Sequence, residues 1–351
     1  MNNPAASSGV SPGGVALFAA SGGEFDPERL NFWRSFMIVY SEVEFDRLNG
    51  FTTGECGVFC YTYQCNIQCA HCLLSCSPQR NEKIKIEDAK QVLRNYAASG
   101  IRLAVLIGGE PFLNFTELSD MVSYASGLGM AVEVDSNGFW GKDYDKAKEK
   151  LRELIHRGLK IIFVSTDLYH QEFIPLAYPI NVLRAAKELE IPSWSCLCPS
   201  SEPEKDKVML DTLEKEDARI YILNRVPFGR SANQQIDSEI SDCKWLGYHT
   251  MVNGDTIICG AAIDHNEDII DTILFLGNLL EEGGEKLLLK KNLKCMEAFF
   301  NPESAIWYKK ILQQAPYRKI FENKKFSHIC ELCIEMLHVK GISDQIMAHN
   351  P

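Results

Sequence analysis

Between residues 56 and 230, short apolar runs alternate with amphipathic stretches, and this alternation restricts the fold more than any other feature of the chain. Strands are predicted at Val58 to Tyr63, Arg102 to Ile107, Ala131 to Asp135, Lys160 to Ser165, Ser193 to Leu197 and Arg219 to Leu223. Helices fall between them, as at Ile86 to Ser99 and Tyr144 to Arg157, each followed by a glycine (Gly100, Gly158) suited to a left-handed cap. Strictly alternating strands and helices pack as a parallel sheet with helices outside. Six repeats predict a partial barrel, whose chemistry belongs at the carboxyl ends of its strands.

Two motifs fall at such ends. Cys65, Cys69 and Cys72 are spaced C-x3-C-x2-C. Three thiolates so placed can hold three corners of a four-iron cluster and leave one iron open; with a fourth ligand they make a structural zinc site instead. About forty residues on, the apolar run from Leu103 stops at Gly108, Gly109, Glu110 and Pro111. Glycines at a strand end let the backbone come close to a ligand.

The triplet and the Gly-Gly-Glu-Pro together resemble the signature of the radical S-adenosylmethionine (radical SAM) enzymes. The resemblance implies an α/β fold with a partial (β/α)6 barrel and a [4Fe-4S] cluster on Cys65, Cys69 and Cys72. It also implies that S-adenosylmethionine (SAM) binds at the open iron, with its amino group held by Gly108 to Pro111. It assigns His71 to the adenine, Ser136 and Asn137 to the ribose or carboxylate of SAM, and Ser165 to the nucleoside. From the residues alone, Asp135 to Gly138 is equally an Asx-type turn and His71 equally a supporting imidazole. Arg230 is a candidate carboxylate clamp or a surface ion pair.

A second cysteine set lies further on. Cys243 precedes two alternating runs around Asn253-Gly254, a hairpin signal in which both turn residues are expected at positive φ, and Cys259 ends the second run. Cys330 and Cys333 add a C-x2-C pair. Two converging pairs make a closed four-thiolate site, which by itself also fits a zinc ribbon. This arrangement resembles the twitch form of the SPASM extension, a small α+β cluster-binding domain, and implies one auxiliary [4Fe-4S] cluster on Cys243, Cys259, Cys330 and Cys333. The segments Cys72 to Pro78, Ser136 to Gly141 and Asp167 to His170 further resemble epimerases of ribosomally made peptides. In those enzymes a cysteine directly after the auxiliary ligand returns a hydrogen to the substrate. Here Gly260 follows Cys259, so that donor is missing. Cys196 and Cys198 are the candidate replacements, against a reading as small buried apolar residues. Asp167 and His170 are a candidate pair for positioning substrate or moving a proton, against a helix N-cap with a solvated imidazole.

The domains expected are residues 1–50 as a mobile N-terminus with an amphipathic helix from Asp26-Pro27, residues 51–235 as the barrel and 236–351 as the auxiliary cluster domain. In the helix, Leu30, Trp33, Met37 and Tyr40 share one face, for packing on the barrel or for docking. With 36 Lys and Arg against 47 Asp and Glu, the net charge of −11 argues against nucleic acid as a partner. No apolar run is long enough to span a bilayer, and no secretory signal is present, so no membrane partner and a cytoplasmic location are expected. The 13 cysteines sit in ligand-like clusters within a long chain and speak for a reducing compartment. The expected function is reductive cleavage of SAM to a 5'-deoxyadenosyl radical that modifies a ribosomally made peptide by epimerisation, oxidation or cross-linking. The alternatives are a dehydrogenase or epimerase of a sugar or aminocyclitol, and a non-catalytic metal or electron-transfer protein. The partners expected are a precursor peptide or small-molecule substrate and a reductant such as flavodoxin or ferredoxin.

Overall fold

The computed structural model describes residues 53–223, 225–232, 246–260, 272–281, 283–288, 311–324, 326 and 329–348. The helix expected from Asp26, Cys243 and Cys295 lie outside the described residues.

All six expected strands form: β1 (Cys56–Cys60), β2 (Leu103–Ile107), β3 (Ala131–Ser136), β4 (Leu159–Ser165), β5 (Ser193–Leu197) and β6 (Ile220–Ile222). They pair in parallel in chain order, so each crossover carries its helices to one face. Strand β1 stops three residues short of the expected Tyr63. After Cys60 the backbone turns to a returning segment, with Tyr63 N donating to Glu82 O (2.9 Å) and Ile84 N to Tyr61 O (3.0 Å).

Three more strands extend the same sheet beyond β1. They are β7 (Leu246–Thr250), β8 (Asp255–Cys259) and β9 (Phe275–Asn278), giving the order β6-β5-β4-β3-β2-β1-β7-β8-β9. The expected hairpin is β7 and β8, but it adds to the barrel sheet through a parallel β1–β7 ladder, and β9 had no sequence signal separate from its neighbours. The turn also differs from expectation. Among the described residues only Ser75, Glu190 and Asp217 are non-glycines at positive φ, so Asn253 is not, while Gly254 has φ +88°. With Met251 N donating to Asp255 O and Gly254 N to Met251 O, both at 2.9 Å, the loop is a three-residue connection needing one left-handed residue.

Strand alternation separates two faces. Phe59, Leu106, Val134, Ile162 and Leu197 face the helices α1 (Ile86–Ala98), α2 (Phe115–Gly127), α3 (Tyr144–His156), α5 (Ala177–Glu188) and α6 (Pro203–Lys215), and form the main core with them. The short α4 (Leu168–Gln171) follows β4 at the rim. Residues of opposite parity, Leu103, Val105, Ile161, Phe163, Trp194 and Tyr221, pack with one another and with no helix residue, which makes theirs the inner face. Asp143 caps α3 by accepting from Lys146 N at 3.1 Å, and Gly100 and Gly158, at φ +86° and +112°, follow α1 and α3 as expected. The C-terminal part adds α7 (Ala315–Phe321), α8 (Ile329–Leu337) and α9 (Ile342–Ala348).

Candidate active site

The cysteine loop follows β1 at the carboxyl end of the sheet and is clasped from two strands. Gly109 N donates to Thr62 O (2.7 Å) and Glu110 N to Gln64 O (2.9 Å). A side chain on Gly108 or Gly109 would put its Cβ closer than 3.0 Å to the carbonyls of Thr62 or Gln64, so these glycines are what lets the loop lie on the end of β2. From beyond β6, Arg230 donates through Nε to Cys69 O (2.8 Å) and through Nη2 to Cys76 O (2.6 Å), while its backbone N donates to Cys72 O (3.1 Å). The guanidinium expected to clamp a ligand carboxylate thus grips the loop that carries the three cysteines. Charge-assisted bonds to carbonyls contribute about 1.5–3 kcal/mol each. Arg230→Ala is therefore expected to lower stability by about 3 kcal/mol and to reduce the iron retained after anaerobic loading, read by denaturant unfolding and iron assay.

Cys65 and Cys69 are buried, and Cys72 is partly buried beside them. Interaction with Cys72, then burial, pushes the Cys69 and Cys76 thiols up, and the same interactions hold the Cys72 thiol well below its ordinary range. Burial pushes Cys65 up to about 12. Thiols packed together in a buried loop are a donor set that a cation would draw toward thiolate. The donor set fits an iron–sulfur cluster, with Cys65, Cys69 and Cys72 as its ligands.

Glu110 is fully buried beside this loop. Its Oε1 accepts from Phe112 N (3.0 Å) and Ser136 Oγ (2.9 Å), and Oε2 from Asn137 N (2.7 Å). These bonds occupy three of about four acceptor directions of a carboxylate, leaving one for an ammonium group. Burial raises the group against the pull of those bonds, to about 7. Ser136 also accepts from Trp140 Nε1 (2.8 Å), and Trp140 stacks on Phe112 at 4.0 Å, so the ends of β2 and β3 form one unit. Asn137 makes the Asx turn, accepting from Phe139 N (3.1 Å), and also turns Nδ2 to Asn66 Oδ1 (2.9 Å) and toward Cys65 Sγ (3.8 Å). The Asx-turn reading of this segment is the one observed.

Asp167, just past β4, caps α4 by accepting from His170 N (3.1 Å) and binds His170 Nδ1 at 2.8 Å. Its other oxygen lies 3.5 Å from His71 Nε2. Burial raises Asp167, but the charges and bonds of His170 and His71 outweigh this and hold it at about 2. Burial lowers His170, and Asp167 more than restores it, so His170 shifts up, while burial dominates at His71, which shifts down. The His71 ring lies 4.6 Å from that of Tyr169, so Asp167 and Tyr169 fix the imidazole between the last two cluster cysteines. Tyr169, inside the segment Asp167 to His170 but given no role of its own there, accepts at its hydroxyl from Arg225 (3.2 Å). Ser165 pairs with Cys196 at the end of β4, and Cys196 is partly buried among the inner-face residues. Cys198 lies one residue beyond β5 and is buried, with its thiol pushed well up by burial.

The second thiol set is gathered by apolar packing. Cys259, Cys330 and Cys333 join one cluster with Met251, Ile257, Phe321 and Phe326, and Cys330 and Cys333 sit three apart on one face of α8. Cys259, Cys330 and Cys333 thus border one apolar cluster, while Cys243 lies outside the described residues. The same apolar cluster contains Cys60, Cys65, Cys69 and Cys76, so both sulfur sets border it.

Residues 59–198, from β1 to the end of β5, match the model of the radical SAM superfamily. The matched segment is a radical SAM domain. Among curated proteins, this chain is 22% identical over 283 residues to the putative peptide biosynthesis protein YydG of Bacillus subtilis, covering 77% of this chain and 88% of that protein. It is 30% identical over 112 residues to the GTP 3',8-cyclase of Aeromonas hydrophila, covering 29% of this chain and 31% of that protein. Among solved structures, the anSMEcpe enzyme with bound AdoMet and Cp18Cys peptide is 12% identical at TM-score 0.48, over 68% of this chain and 80% of that one. Streptococcus suis SuiB bound to precursor peptide SuiA is 13% identical at TM-score 0.41, over 79% and 73%. In the radical SAM domain of this chain, Cys65, Cys69, Cys72 and Glu110 all fall within the matched segment. Among the described residues, no helix is long and apolar enough to cross a membrane.

Proposed function

We propose that this chain is an enzyme that cleaves SAM reductively and uses the 5'-deoxyadenosyl radical to modify a ribosomally made peptide. The observation that carries the first half is the buried triplet Cys65, Cys69 and Cys72 clasped against Gly109-Glu110 and Arg230. A [4Fe-4S] cluster there supplies the electron and the open iron for SAM. The residues do the positioning. Glu110 offers a carboxylate direction to the SAM ammonium, Asn137 and Ser136 fix the end of β3, and Asp167 orients His71 and His170 at the rim. Ser165 and Cys196 stand beside each other where the inner face meets that rim. The second half rests on the likeness to YydG along most of both chains. Cys259, Cys330 and Cys333, with Cys243, hold an auxiliary [4Fe-4S] cluster, and a small reducing protein such as flavodoxin or ferredoxin supplies electrons in a cytoplasmic setting.

The test is to incubate the full chain, loaded anaerobically with iron and sulfide, with SAM, dithionite and a pool of linear synthetic peptides in deuterated water. The reading predicts 5'-deoxyadenosine and a mass change in a subset of peptides. Formation of 5'-deoxyadenosine that is stimulated by aminocyclitols or sugars and by no peptide would move the substrate to the small-molecule class.

A further inference from the structure

Asn137 stands where the end of β3 meets the cysteine loop. Its side-chain Oδ1 accepts from Phe139 N (3.1 Å). A main-chain N–H only donates, so the atom facing Phe139 is the oxygen, and the NH2 end of the amide is turned to the loop. There Nδ2 reaches Asn66 Oδ1 (2.9 Å) and Cys65 Sγ (3.8 Å). The amide has two hydrogens, enough for both partners.

This pose is set from the barrel side. Asn137 is 5% exposed, and its main-chain N donates to Glu110 Oε2 (2.7 Å). Gly138 follows at φ +73°, where a Cβ would lie 2.9 Å from Val164 Cγ1 and 3.0 Å from Pro179. Gly138 N donates to Ser136 Oγ (3.1 Å), the same hydroxyl that donates to Glu110. The turn is therefore built by β3, Glu110 and the packing of β4 and α5, and the cysteine loop is laid against it. The resemblance assigns Asn137 to the ribose or carboxylate of SAM, but its side chain is already committed to the turn and to the loop.

Around the sulfur, the main-chain amides of Ile67 and Asn66 also donate to Cys65. The thiol hydrogen itself points to Asn66 Oδ1 (3.9 Å). A cluster ligand is a thiolate, which has lost that hydrogen and only accepts. N–H donors then surround the sulfur, and Asn137 brings its donor from a different strand.

Resting on the radical reading above, we infer that Asn137 raises the reduction potential of the cluster on Cys65, Cys69 and Cys72 through its Nδ2–H to the Cys65 sulfur, and that its side chain is not a ligand of SAM. Reduction adds one negative charge to a cluster, part of it on the ligand sulfurs. An N–H dipole aimed at such a sulfur stabilises the reduced form more than the oxidised one. Through its main chain the same residue holds Glu110, so the carboxylate offered to SAM and the sulfur that feels the electron share one rigid turn.

Two variants keep the turn and remove the donor. Asn137→Asp retains an oxygen for Phe139 N and presents a second oxygen to the sulfur. Asn137→Ser retains a hydroxyl for the turn and is too short to reach Cys65. The readout is the midpoint of the paramagnetic signal that responds to SAM, titrated anaerobically in the loaded full chain before SAM is added, with iron content and SAM affinity measured alongside. Asn137→Ser should lower the reduction equilibrium constant about threefold and Asn137→Asp about tenfold, a fall of about 59 mV for one electron. Iron content should hold, and SAM affinity in Asn137→Ser should change by less than about threefold. Midpoints equal to wild type in both variants overturn the inference. So does a large loss of SAM affinity in Asn137→Ser at an unchanged midpoint, which would return the side chain to SAM. Iron lost from both variants would make Asn137 a support of the loop alone, and also overturns it. Failure of the radical reading is distinct: the wild-type chain then shows no paramagnetic signal that responds to SAM.

Discussion

Cys72→Ala is expected to abolish 5'-deoxyadenosine formation, leaving less than about one part in a thousand of the wild-type rate, because the radical cannot form without the cluster. Cys72 is the most informative of the three ligands. It is the one partly exposed sulfur of the triplet, and it interacts with both Cys69 and Cys76. Removing it takes away one of three anchors for iron. The iron bound by the full chain should fall by the equivalent of one cluster, leaving that of the second sulfur set. Cys76→Ala is the control. Cys76 interacts with Cys72 but stands outside the C-x3-C-x2-C spacing, so its loss should leave cluster iron in place. Equal iron loss in both variants would mean that the ligands have been misassigned.

Glu110→Ala should cost about 4 kcal/mol of stability. Three donors, Phe112 N, Asn137 N and Ser136 Oγ, lose their acceptor inside the protein, and each such loss costs about 1–3 kcal/mol. Glu110→Gln keeps the size and removes the charge, and should weaken SAM binding at least tenfold while the chain still folds. The pH dependence has a definite sign. Burial raises this carboxyl from 4.5 to about 7, so the folded protein without SAM binds the proton more tightly than the unfolded chain does. Its contribution to stability is full below pH 4.5 and declines by about 3 kcal/mol as the pH rises to about 7. An ammonium beside Glu110 reverses this preference, so SAM binding below pH 7 should release a proton and weaken as the pH falls. Calorimetry in buffers of different ionisation enthalpy reads that proton directly.

The barrel was legible because each of its strands is an apolar run bounded by helical periodicity, and Gly100 and Gly158 punctuate it as caps do. The cluster cysteines were legible because their chemistry needs a fixed spacing on one loop. What could not be read were partners brought together by topology. Arg230 lies far along the chain from Cys69 and meets its carbonyl only because β6 and β1 end at the same rim. His249 resembles any polar residue of a strand until the β1–β7 register turns it inward and Gly260 receives its ring. Asp167 offered both a helix cap and a pair with His170, and one oxygen, Oδ1, makes both contacts while Oδ2 faces His71. Strand β9 was missed because its Phe275–Asn278 segment is four residues long and ends at the glycine and asparagine that usually mark a turn.

The most direct test of the central claim is electron paramagnetic resonance of the dithionite-reduced full chain, recorded before and after SAM is added. An open iron beside Glu110 predicts a reduced four-iron signal that changes on adding SAM, and that change should be absent in Cys72→Ala. A signal indifferent to SAM, or a protein that after anaerobic loading holds zinc and no iron, would contradict the account.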